Sequence, residues 1–298
     1  MRTSKKNLGT LIIIGGHEDK EGECVILKEV AKYLKNGPLV IATVASKEPE
    51  DYFADYQKAF AKLNITDLTH LYIHDRAETA DEAKIKQLDN VNGIFFSGGD
   101  QLRISSQIGD TPFETRIHEI YESGGVIAGT SAGASVMGET MLIKGSNSES
   151  HRIGDLHLAP GLRLIRNVII DQHFAERGRI GRLLGAVALN PRILGIGIDE
   201  DTAIVVKGRE FCVLGKGAVY VVEGASVTYS NIAEAEHKRT LSMFDVRLHI
   251  LSQGDCFSLD KRRPISSGSL EKSVLLEKQA AEEIRISKQK DRKTGRRK

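Results

Sequence analysis

The stretch Gly129-Thr130-Ser131-Ala132-Gly133 fits the pattern G-x-S-x-G. It follows an apolar run, Val126 to Ala128, that reads as a short buried strand, and it leads into Ala134-Ser135-Val136-Met137, which can start a helix. On a sharp strand-to-helix turn a serine is pushed out of the sheet with its hydroxyl exposed, where it can act as a nucleophile. Small flanking residues suit a backbone that is strained and crowded. The amide of Ala132 would then lie at a helix N-terminus, where a developing oxyanion is stabilised. A glycine-rich turn whose Ser131 only caps a helix has the same pattern, so other chemistry-bearing residues must decide.

A serine nucleophile needs a base. Among nine histidines, His173 stands in the densest polar setting: it follows Val168-Ile169-Ile170-Asp171-Gln172, and Arg177, Arg179 and Arg182 come after it. A third, orienting carboxylate is sought in Glu149, in the polar loop Ser146 to Ser150, with Asp155, Asp199 and Glu200 as rivals. Two more glycine-rich stretches follow apolar runs, Gly15-Gly16-His17-Glu18-Asp19 and Ser97-Gly98-Gly99-Asp100-Gln101. The amide of Gly99 or Asp100 is a candidate second oxyanion donor beside Ala132. No Gly-Lys-Ser/Thr follows any of them, and Gly215-x-Gly217 is too little for a dinucleotide fingerprint.

The elements that must position these residues alternate. Apolar runs at 11–14, 39–44, 68–73, 93–96 and 126–128 predict strands, and helical spacing over 20–36, 49–63 and from Thr111-Pro112 onward predicts helices between them. Thr79 and Glu82, and Thr111 and Glu114, have capping-box spacing. Short buried strands alternating with helices imply an α/β fold with a mostly parallel open sheet covered on both faces. Sites in such sheets lie beyond the carboxyl ends of the strands, where all three glycine-rich stretches fall. Runs at 194–198, 203–206, 211–214 and 219–222 predict added C-terminal strands extending that sheet, with a hairpin near Lys207-Gly208.

The 298 residues are 40% hydrophobic and 28% charged, ordinary for a soluble globular chain. The net charge of +2 conceals a basic end: residues 285–298 carry eight Lys or Arg and one Asp, a net +7, which leaves −5 on residues 1–284. A catalytic domain over 1–263 and a polar to basic tail over 264–298 are expected, the tail being a solvated segment rather than a nucleic-acid arm. No run has transmembrane length and the start has no signal-peptide core, so a cytoplasmic protein without membrane contact is expected. Cys24, Cys212 and Cys256 are odd in number and widely spaced. They are expected to be free, buried thiols.

Together, Gly129 to Ala134, Ser97 to Gln101, Asp171-Gln172-His173-Phe174 with Arg177, Arg179 and Arg182, and Gly197 to Ala203 resemble the cyanophycinases. These belong to a serine peptidase family that also holds aspartyl dipeptidases, with a flavodoxin-like, glutamine amidotransferase-like fold. The likeness runs from about Leu11 to Leu259. It implies hydrolysis of cyanophycin, a poly-aspartate with arginine on each β-carboxyl, from a chain end to β-Asp-Arg dipeptides. It implies a serine mechanism with no metal or cofactor, and a homodimer. The positions it implies are Ser131 as nucleophile, His173 as base, and Glu149 as orienting carboxylate because it lies between the other two in the chain. Gln101, Asp171, Gln172, Arg177, Arg179 and Arg182 match substrate-pocket positions. Guanidinium forks suit the polymer's free carboxylates, and Asp171 suits its arginines, although Asp171 and Arg182 are also close enough in sequence to pair with each other. An aspartyl or isoaspartyl dipeptidase, and a non-catalytic ligand-binding α/β protein, are the alternatives.

Overall fold

A computed structural model describes residues 8–144, 153–234 and 239–266. The first half alternates strand and helix: β1 (Thr10–Ile14), α1 (Val25–Leu34), β2 (Leu39–Ala42), α2 (Pro49–Ala61), β3 (Leu68–Leu71), a 3-10 turn (Arg76–Ala80), α3 (Glu82–Lys86), β4 (Gly93–Phe96), α4 (Gln101–Ile108), α5 (Pro112–Glu122), β5 (Val126–Thr130) and α6 (Ala132–Ser135). The second half is strand-rich: β6 (Thr140–Lys144), β7 (His157–Pro160), β8 (Val168–Gln172), α7 (Ile180–Leu189), β9 (Leu194–Ile198), β10 (Thr202–Lys207), β11 (Glu210–Gly215), β12 (Val219–Glu223), β13 (Tyr229–Ser230), β14 (Met243–Phe244), β15 (Arg247–Leu251), β16 (Cys256–Ser258) and β17 (Arg263–Ile265).

The strands sort into two main sheets. The larger has nine strands in the order β17-β16-β11-β10-β1-β5-β4-β2-β3. Its β1-β5-β4-β2-β3 half is parallel, and β10, β11, β16 and β17 extend it antiparallel. Every residue of β1 is buried because both faces are covered. Ile12 and Ile14 pack with Leu27, Val30, Tyr56 and Phe60 of α1 and α2. Leu11 and Ile13 face the opposite core with Ile117, Met137 and the second sheet's Ile170 and Ile196. That second sheet has the order β15-β12-β9-β8.

Several sequence expectations are corrected here. The C-terminal strands do not all extend one sheet: β10 and β11 join the large one, while β9 and β12 pair in the small one. The hairpin turn is Gly208-Arg209, since Lys207 pairs with Glu210. Asp81, not Thr79, caps the helix at Glu82, its carboxylate accepting from Ala83 N. Thr111 stands at the start of α5, but its hydroxyl donates to Ile108 O instead of capping. Cys212 and Cys256 are not free thiols. They face each other across β11 and β16 and are joined by a disulfide, whereas Cys24 is free and buried as expected. Strand β17 carries the folded body past residue 263, and the basic run beyond 266 lies outside the described residues.

Phe95 is buried between Tyr56 and Phe60, with ring centroids 4.5 and 5.7 Å away. Phe95→Ala is expected to lower unfolding stability by about 3–5 kcal/mol, through lost transfer energy and a cavity. Urea unfolding of the two proteins measures it.

Candidate active site

Ser131 stands between β5 and α6 with φ 53° and ψ −109°. A non-glycine residue in such a sparsely populated region costs on the order of 1–3 kcal/mol and persists only where its surroundings over-determine it. Here the Ser131 amide donates to Ile14 O at 3.1 Å. Beneath it lies Glu18, 4% exposed, in a glycine-rich turn whose sequence assigns it no role. Its two carboxylate oxygens accept from Thr130 Oγ1 and Tyr56 OH, each at 2.5 Å, and Lys20 Nζ is 3.6 Å away. The residue before the serine is thus tied to β1's loop and to α2.

The end of β1 also collects the other two groups. His173 N donates to Gly15 O at 2.8 Å, and Asp201 N donates to Gly16 O at 2.9 Å. Parallel pairing of β8 with β9 ends at Gln172 opposite Ile198, so the chain just past each strand brings His173 beside Glu200. Gly16 has φ 111°, and a Cβ there would fall 2.2 Å from His173 Cε1, so only glycine leaves room for the ring. The ring sits with Nε2 2.9 Å from Ser131 Oγ and Nδ1 2.6 Å from Glu200 Oε1. An ionised carboxylate only accepts, so Nδ1 carries the proton and Nε2 is left to accept from the serine hydroxyl.

Among the rivals for the third position, Glu200 is the one that meets His173. The Asp199 carboxylate is spent on the amides of Ala175 and Ala218, at 2.9 and 3.0 Å. Glu149 lies outside the described residues, and Asp155 is not bonded to the ring. Burial pushes the His173 imidazole below its ordinary value of 6.5; the Glu200 hydrogen bond opposes this, and Arg177 adds to it. The ring is therefore neutral and able to accept a proton near neutral pH.

The Gly98–Gly99 backbone passes over the serine: a Cβ on Gly98 would lie 3.5 Å from Ser131 Cβ. Gly99 turns there with φ 138°, and a Cβ on it would strike Ala45 O at 2.2 Å. The Asp100 amide is already given to Ala45 O, which removes it as an oxyanion donor. The amides of Gly99 and Ala132 have no backbone acceptor among the described residues. Helix α6 is a single turn, so what Ala132 offers is a hydrogen-bond donor rather than the dipole of a long helix.

The arginine-rich segment behind His173 is largely internal. Arg182 grips both oxygens of Asp171, with Nε donating at 2.6 Å to Oδ2 and Nη2 to Oδ1. Arg179 Nη1 donates to Asp171 Oδ1 at 3.3 Å, to Gln172 Oε1 at 2.7 Å and to the Gln172 carbonyl. Asp171 is thus occupied by its own chain, the pairing with Arg182 that their closeness in sequence allows. Burial pulls Arg179 down to about 10, and its Nε is buried without an acceptor. Arg177 is exposed. Gln101 Nε2 donates to Leu142 O at 2.7 Å. Among the described residues, His17, His173 and Glu200 bring donor atoms within 4.8 Å of one another, close enough to share a metal ion.

In a histidine-resolved NMR titration His173 is expected to titrate below 6.5, and Glu200→Gln to lower the midpoint further because a group favouring the imidazolium is removed. A midpoint above 6.5 would contradict a desolvated ring. The folded imidazole takes its proton less readily than the unfolded one. Its contribution to stability is therefore complete above about 6.5 and lost as pH falls below it. Glu18→Ala leaves two buried hydroxyls without their acceptor and is expected to cost roughly 1–3 kcal/mol for each. Glu18→Gln, which keeps an acceptor, should cost less in the same denaturant titration.

The family model of peptidase family S51 matches residues 11–214, which include Ser131, His173 and Glu200. The chain is 37% identical over 255 residues to a cyanophycinase of Synechococcus elongatus, covering 84% of this chain and 79% of that protein. It is 37% identical over 261 residues to a cyanophycinase of Geminocystis herdmanii, covering 86% and 96%. With a cyanophycinase of Nostoc sp. it shares 38% over 267 residues, covering 88% and 89%. A peptidase from an acI-B1 Actinobacterium has a similar fold, with a TM-score of 0.62 at 21% identity over 84% of this chain and 97% of that one. With a family model running through both strand ends that meet at Ser131, and relatives of this identity over most of its length, the chain belongs to peptidase family S51, a family of hydrolases.

Proposed function

We propose that the chain is a serine-type exopeptidase that hydrolyses cyanophycin to β-Asp-Arg dipeptides. The observation that carries this reading is the Ser131–His173–Glu200 chain of hydrogen bonds, 2.9 and 2.6 Å long, in a protein that its cyanophycinase relatives match over 84–88% of its length. Ser131 Oγ attacks the scissile carbonyl while His173 Nε2 takes its proton, and Glu200 holds the Nδ1–H tautomer and stabilises the imidazolium. The amides of Gly99 and Ala132 receive the oxyanion of the tetrahedral intermediate. His173 then protonates the leaving amine, and water repeats the sequence on the acyl-enzyme.

The substrate side rests on charge. The guanidinium groups of Arg179 and Arg182 share the carboxylate of Asp171 behind His173, and the exposed guanidinium of Arg177 adds its charge close by. That leaves a positive surplus for the free carboxylates of a poly-aspartate. Exposed Arg177 and the unpaired Nε of Arg179 supply it, with Gln101 and Gln172 as neutral partners, and the Asp171–Arg182 fork positions the wall. We also infer a homodimer, as the resemblance implies, working in the cytoplasm. Leu248 and Ile250, exposed on the edge strand β15, offer apolar surface for a second copy.

Incubation of insoluble cyanophycin with wild type and with Ser131→Ala, followed by mass analysis of the soluble fraction, tests the reading. Wild type should release β-Asp-Arg, and Ser131→Ala should release none above background. Release by both would remove Ser131 as nucleophile. No release by folded wild type, with cleavage of short aspartyl or isoaspartyl peptides, would move the substrate to that class. The kcat/KM of the active protein should rise with pH on an acid limb whose midpoint lies below 6.5, since the base works only as neutral imidazole.

A further inference from the structure

The mechanism leaves His17 unused, although it stands at the mouth of the site. It follows Gly16 in the turn that ends β1, with φ 48°, and its side chain is 69% exposed. Its Nε2 lies 3.8 Å from Glu200 Oε1, and its ring meets the His173 ring edge-on, with centroids 5.2 Å apart. Two imidazoles therefore converge on the Glu200 carboxylate, and the donor atoms of the three residues all lie within 4.8 Å of one another. A tetrahedral ion with bonds of about 2.0–2.2 Å places its ligands roughly 3.4 Å apart. The His17–Glu200 separation needs little change to meet that. The His173–Glu200 contact has to open by less than the width of an atom, from a hydrogen bond to two bonds on a shared ion.

We propose that His17, His173 and Glu200 form an inhibitory site for a divalent transition metal, with zinc(II) as the fitting probe. Two nitrogens and one oxygen suit zinc and its neighbours rather than magnesium or calcium, which take oxygen ligands. The exposure of His17 leaves the fourth position to water. The inference rests on the peptidase reading of the site, because its consequence is a change of tautomer. A metal on His173 Nδ1 takes the place of the proton that now points at Glu200. That proton moves to Nε2, where it donates to Ser131 Oγ, and the ring can no longer accept the serine proton. No proton is gained or lost overall, no electron moves, and dissociation of the ion restores the working tautomer.

The test uses tag-free full-length protein stripped with chelator, as wild type and as His17→Asn, a residue that accepts the left-handed backbone at this position. Wild type should lose β-Asp-Arg release on titration with zinc chloride and regain it on adding EDTA. His17→Asn should keep the metal-free rate and need at least about 10-fold more zinc for the same inhibition, since even an outer-shell partner is worth 10–100-fold in affinity. Cobalt(II) titrated into each protein gives an independent readout: visible absorption saturating at one ion per chain in wild type and, in His17→Asn, appearing only at about 10-fold or more higher cobalt. Inhibition at the same zinc concentration in both proteins, or no cobalt absorption in wild type, would overturn the site. If neither protein cleaves cyanophycin, the substrate reading fails, and the cobalt titration still decides the metal site.

Discussion

Three consecutive carbonyl groups at the end of β1 hold the site together. Ile14 O takes the amide of Ser131, Gly15 O that of His173, and Gly16 O that of Asp201, the neighbour of Glu200. Each bond is worth only about 0.5–1.5 kcal/mol net. Their effect is geometric: the serine comes from the large sheet, the histidine and the carboxylate from the small one, and the turn after β1 touches both. Gly16 completes the arrangement by lacking the Cβ that would occupy the imidazole's place. A constellation spread over 70 residues of sequence is in this way reduced to the position of one turn.

Burial then sets the protonation states. His173 is 3% exposed, and desolvation, more than any one charge, keeps its ring neutral. Glu200 works against that desolvation from the rim, half-open to solvent, so the pair stops short of a fully buried ion pair with its heavy desolvation cost. Behind the ring, the Asp171–Arg182 fork is enclosed and satisfied, while Arg179 is enclosed and incompletely satisfied. Carrying two buried cations on one carboxylate is expensive. This protein does so behind His173, the ring that bonds Ser131.

The parallel half of the fold was legible from sequence because its strands are buried on both faces and so read as unbroken apolar runs, as in Leu11 to Ile14. Ser131 and His173 were legible because each sits at the end of such a run with polar residues beyond. Glu200 stands in the sequence only as one of several carboxylates, since chain order favours Glu149 and the deciding fact, the pairing of β8 with β9, is long-range. The run Gly197-Ile198-Asp199-Glu200, ending a strand as Asp171-Gln172-His173 does, was the available signal. Glu18 gave none: its meaning depends on Tyr56 and Thr130, far away in the chain. The splitting of the C-terminal strands between two sheets, and the pairing of Cys212 with Cys256, likewise depend on registers that periodicity does not encode.

The most direct measurement compares turnover of cyanophycin by Glu200→Gln and Glu149→Gln at saturating substrate. With Glu200 holding the imidazole, Glu200→Gln should lower kcat by about 10²–10⁴-fold with KM near the wild-type value, as expected when an interaction of the transition state alone is lost. Glu149→Gln should fall far less. A large loss in Glu149→Gln beside a nearly unaffected Glu200→Gln would contradict the assembly of Ser131, His173 and Glu200 on the carbonyls of β1.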